Sequence, residues 1–106
     1  MSDRGLDYIE AGMRFAQTRA AVLAEDVANA RTPGFVPRDA IREQGDATGG
    51  APFATVLRDV VASGAVGVLE YAMGAQAKNA ATYRALADQE RAMLREVRTV
   101  AEEARR

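Results

Sequence analysis

Glu25 and Asp26 are adjacent carboxylates, the first side chains along this chain whose types could share acid–base chemistry. A working pair must converge on one substrate, and consecutive residues of a helix point away from each other. Glu102 and Glu103 repeat the adjacency in a tail expected to fray. Arg91, Arg95 and Arg98 fall on one helical face and could meet phosphates. However, Asp88, Glu90, Glu96, Glu102 and Glu103 are interleaved with them, and no aromatic follows for base stacking. These arginines are expected to form a solvated or inter-subunit salt-bridge face, with no nucleic acid bound. Residues 45–50, GDATGG, have the glycines of a phosphate-cradling loop but neither its lysine nor a following helix. They are expected to be a linker. Histidine and cysteine are both absent, which removes the commonest general base, the commonest metal ligand and any disulfide. The expectation is no enzyme, no cofactor, no metal and no small-molecule substrate.

The signal that remains is periodic. Leu6, Ile9, Met13, Ala16, Ala20, Leu23, Val27 and Ala30 alternate spacings of three and four, the seam of a coiled-coil face. They place helix 1 at about residues 3–29. A second seam runs through Leu69, Ala72, Gln76, Asn79, Tyr83, Leu86, Glu90, Met93, Val97, Val100 and Ala104. It places helix 2 at about 67–104, and its three polar members lower stability while fixing register. Between the seams, residues 43–52 form a polar, glycine-rich stretch without period. Phe53, Val56, Leu57, Val60 and Val61 return at helical spacing and predict a short helix before Gly64.

A sharp corner closes helix 1. Asn29 stands where the helix must stop, and asparagine tolerates the left-handed conformation of a C-cap. Thr32 is pushed toward extended geometry by Pro33. Pro33-Gly34 suits the centre of a type II turn, because proline presets φ and glycine supplies a positive one. Phe35 then opens FVPRDAI, an extended stretch interrupted by Pro37.

The expected fold class is all-α: two long antiparallel helices forming a coiled-coil hairpin, joined by an extended loop and a short helix. The parts are an N-terminal helix (1–30), a turn, linker and short helix (31–66) and a C-terminal helix (67–106), one structural unit. Apolar residues make up 48% of the chain but aromatics only 6%, and alanine supplies much of the rest. Such a core buries little area at roughly 25 cal/mol per Å², so a lone hairpin needs further helices from partners. The net charge of −1 draws neither nucleic acid nor anionic membrane. The first fifteen residues carry charges where a signal peptide needs an apolar run.

Residues 22–39, VLAEDVANARTPGFVPRD, resemble the N-terminal signature of the flagellar axial proteins, the rod and hook family. Ala28, Asn29, Thr32, Pro33, Gly34 and Phe35 carry that resemblance, with Arg38-Asp39 beside them. Residues 69–86, LEYAMGAQAKNAATYRAL, are similar to the family's second helix through Glu70, Asn79 and Tyr83. Asp26 stands where the family usually has asparagine, and Phe35 where it has tyrosine. The short middle, 40–66, lacks the β-rich insertion of hook and distal-rod members.

The resemblance implies a structural subunit of the bacterial flagellar basal body, in the proximal rod that crosses the periplasm. It implies export by the flagellar type III apparatus without a cleaved signal peptide, self-assembly through the terminal helices, and a role in motility. The implied partners are other rod proteins, basal membrane-ring and export-gate components, and copies of the chain itself. The expected seam residues are Leu23, Val27, Leu69, Asn79, Tyr83, Leu86, Met93, Val97 and Val100. Asn29, Thr32, Pro33, Gly34 and Phe35 are the expected corner contact with an adjacent subunit. The alternative is a cytosolic coiled-coil adaptor or export chaperone that binds a partner helix.

Overall fold

The computed structural model describes residues 3–44 and 53–106. In chain order the elements are helix α1 (Asp3–Ala28), strand β1 (Arg38–Gln44), strand β2 (Phe53–Asp59) and helix α2 (Gly64–Ala104). The all-α expectation is overturned, since β1 and β2 pair as a two-stranded antiparallel sheet. Arg38 lies opposite Asp59, Ile41 opposite Val56 and Gln44 opposite Phe53. The ladder extends one step further, where the Val60 N–H donates to the Pro37 carbonyl at 2.9 Å.

No short helix precedes Gly64: the segment expected to form it is β2. Thr55, Val56, Val60 and Val61 are β-branched and fit a pleated surface better than a helical one. The stretch expected as a linker from residue 43 instead starts inside β1, and residues 45–52 of it lie outside the described residues. Helix α2 begins at Gly64, three residues before the expected start.

The two long helices run antiparallel, as their contacts show. A Cβ on Gly5 would meet Met93 Cε at 3.0 Å, and one on Gly12 would meet Leu86 Cδ1 at 3.0 Å. Asn79 Nδ2 donates to the Ala16 carbonyl at 2.7 Å, and Gln76 Nε2 to the Ala20 carbonyl at 2.9 Å. As the numbers rise on α1 they fall on α2. Two of the three polar seam residues, Gln76 and Asn79, therefore pin the register, each by an amide donating to the opposite backbone. Gly12 is buried against Leu86 of α2. Gly12→Val should overpack this contact and lower stability by about 1–3 kcal/mol, read as a lower thermal midpoint.

The interior is narrow. Ile9, Ala16, Leu23, Ala40, Val68, Ala72 and Ala75 are its buried apolar members, and Leu23 is the largest fully buried apolar side chain. The radius of gyration is 18.1 Å, against about 13 Å for a compact chain of this length. The exposed surface is 7607 Å², about a third above the roughly 5,700 Å² expected at this mass. The molecule measures 65 × 32 × 14 Å, and the 41 residues of α2 set the long dimension at about 1.5 Å per residue.

Candidate assembly surface and corner

The corner after α1 is built by short-range hydrogen bonds. The Asn29 N–H donates to the Glu25 carbonyl at 3.0 Å and the Thr32 N–H to the Asn29 carbonyl at 2.9 Å. Gly34 has φ +77°, and the Phe35 N–H donates to the Thr32 carbonyl at 3.2 Å. This closes the turn that Pro33-Gly34 predicts. Asn29 does not adopt the left-handed cap expected of it, since no non-glycine described residue has positive φ. Its side chain does the capping instead. Nδ2 donates to the Glu25 carbonyl at 3.0 Å, and Oδ1 accepts from the Thr32 hydroxyl at 3.2 Å. Thr32, Pro33 and Gly34 are exposed, while Phe35 is half-buried.

Strand β1 is fastened beneath this corner by one carboxylate. Asp39 is buried and accepts two hydrogen bonds from Arg19 of α1, Nε to Oδ1 and Nη2 to Oδ2, both 2.9 Å. The Tyr71 hydroxyl of α2 donates to the same Oδ2 at 2.5 Å, and the Ala40 N–H to Oδ1 at 2.7 Å. One side chain thus joins three elements. Burial alone would raise its pKa, but the Arg19 and Tyr71 donors outweigh it and hold the carboxyl below the ordinary range. Burial raises the Tyr71 hydroxyl, helped by the neighbouring Asp39 charge. A second tie joins β1 to α1, with the Arg42 guanidinium 5.6 Å from the Phe15 ring centre.

The expected seam residues divide by position. Leu23 and Asn79 are buried, and Leu69, Tyr83, Leu86 and Met93 are half-buried along the helix pair. Tyr83 Oη accepts from Gln17 Nε2 at 3.4 Å. Val27 is 39% exposed, because Asp26 takes the inward place at the end of α1. Val97 and Val100 are 47% and 60% exposed. Met93 already lies against Gly5, near the start of α1, so α2 continues for about 15 Å beyond that contact, most of it past the first described residue of α1.

Beside the helix pair runs an open groove of about 570 Å³, floored by Ala16, Ala20, Ala80 and Ala87 and edged by Arg84 and Arg91. Tyr83, Gln17, Gln76 and Asn79 add polar groups to its lining, which has no carboxylate among the described residues. Its small side chains would let a helix approach closely. At the opposite end of the molecule Val36, Val61 and Val66 are more than half exposed.

Arg19, Asp39 and Tyr71 were not expected to act together, although Arg38-Asp39 stands in the stretch that carries the resemblance. Nothing in their spacing announces a three-way contact over 52 residues. Among the described residues no group of three or more Asp or Glu side chains could hold a metal ion, and no helix is long and apolar enough to cross a membrane. No family model matches the chain, and no curated protein matches it either.

Proposed function

We propose that this chain is a structural, non-enzymatic subunit of the bacterial flagellar basal body, a FlgB-like protein of the proximal rod. In this reading it leaves the cytoplasm through the flagellar type III apparatus and assembles with copies of itself and other rod proteins. Membrane-ring and export-gate components are its neighbours at the base. The thinness of the interior carries the reading. A chain that leaves about a third more surface exposed than a compact protein of its mass has surface left for neighbours to cover. The overhanging Val97 and Val100, the alanine-floored groove and the exposed Thr32-Pro33-Gly34 turn are three places where neighbours could supply it. The resemblance of residues 22–39 and 69–86 to the axial proteins supports the same role.

Gly34 has open space around an added Cβ but a backbone that side chains resist. Gly34→Val should therefore reshape the exposed turn while leaving the helix pair folded. In the bacterium that carries this chain, the variant should be expressed at normal levels yet fail to enter purified basal bodies, with motility lost. Normal rods and normal swimming would refute the assignment of this corner to assembly. The adaptor alternative predicts a stable, well-folded dimer in isolation. The rod reading predicts a monomer partly disordered at its ends, and circular dichroism with light scattering separates the two.

A further inference from the structure

Asp26 is fully buried near the end of α1, three residues after the buried Leu23, while the next seam residue, Val27, is 39% exposed. Its Oδ1 accepts the Arg38 backbone N–H at 2.9 Å, which holds the first residue of β1 against α1. Its Oδ2 is equally buried and has no hydrogen-bond partner among the described residues. A buried ionised carboxylate needs a cation or several donors, and this one has a single amide.

The charged groups around it do not make up the deficit. On β1, Asp39 is a second carboxylate, and its own charge is met by Arg19 through two hydrogen bonds. From α2, the Tyr71 hydroxyl is likewise given to Asp39. On α1, Glu25 adds another negative charge and takes the Arg38 guanidinium at 3.9 Å.

We propose that Asp26 is a proton-controlled latch: its neutral form holds β1 and the corner against α1, and its ionisation loosens them. Protonation leaves Oδ1 free to accept the Arg38 N–H, and it removes a buried charge whose second oxygen has no hydrogen-bond partner among the described residues. Burial pushes this carboxyl above the ordinary range; the Arg38 N–H and, more weakly, the Arg38 charge oppose that, and the Asp39 and Glu25 charges reinforce it. Because the folded value is raised, the native state binds more protons than the unfolded chain between the ordinary value and the raised one. Stability contributed at Asp26 is present at low pH and is lost as pH rises through the folded value. The latch is independent of the proposed rod role, since it is read in the free chain.

The test is a carbon-13 titration of the Asp26 carboxyl from pH 4 to 8, with amide exchange protection at Arg38 followed over the same range. Asp26 should titrate above an ordinary aspartate, and the Arg38 protection factor should fall at least tenfold (about 1.4 kcal/mol) across that titration. Asp26→Asn keeps an oxygen for the Arg38 amide and carries no charge. Its protection factor should stay level through the window. An Asp26 that titrates at or below the ordinary value overturns the latch. So does wild-type protection that ignores pH or is absent throughout, or an asparagine variant that shows the same fall.

Discussion

Asp39→Ala is expected to free β1 from α2, to weaken its hold on α1, and to lower stability by about 3 kcal/mol or more. Removing one partner of a buried ion pair typically costs ~3–5 kcal/mol, because the other charge is left desolvated. Arg19 keeps 24% of its side chain exposed, so water can recover part of the loss. The Tyr71 hydroxyl and the Ala40 amide lose their acceptor in the same substitution. A domain of ordinary stability holds about 5–15 kcal/mol in total, so this variant should unfold at a much lower urea concentration. The pH dependence follows from the depressed folded value. The unfolded chain binds the proton first, so the stabilisation is complete above an ordinary carboxylate pKa and is lost as pH falls through the folded one. Wild type should show this acid limb in its melting temperature, and Asp39→Ala should not.

Leu23→Ala should be nearly as damaging. Leu23 is fully buried and is the largest apolar side chain of the interior to be so. Truncations of this kind cost ~2–5 kcal/mol, because a cavity remains where neighbours relax only in part. In a chain of about this size that corresponds to a fall in thermal midpoint on the order of 10 °C or more. Val27→Ala is the control, four residues further along the same seam. With 39% of its surface exposed, it should change the midpoint far less. Equal losses at both sites would show that α1 is rotated from the placement described here.

These two variants also mark where the sequence is legible. The spacing from Leu6 to Leu23 places α1, and that from Ala72 to Met93 places α2, because a helix face repeats within a few residues. Pro33 and Gly34 declare their turn for an equally local reason. The seam loses its meaning at Asp26, where the inward place goes to a carboxylate. Only the Arg38 amide, brought in by β1, explains it. The sheet was illegible for the same cause. Residues 53–61 satisfy a helical spacing as well as a strand, and the pairing of 53–59 with 38–44 is invisible to a local window. The Asp39 contact needs the strand in place first, so it was hidden twice over. The polar seam residues Gln76 and Asn79 were visible, but their backbone partners on α1 were not.

The two helices differ by 15 residues in length, 26 against 41. Among the described residues, one extremity of the molecule therefore holds strands, turn and helix together, while the other narrows to α2 alone. A body with unlike extremities has a front and a back. Any row of copies that repeats one contact between front and back has a direction built into every member. Such a row can lengthen without closing on itself, and its two termini present different chemistry to whatever arrives next.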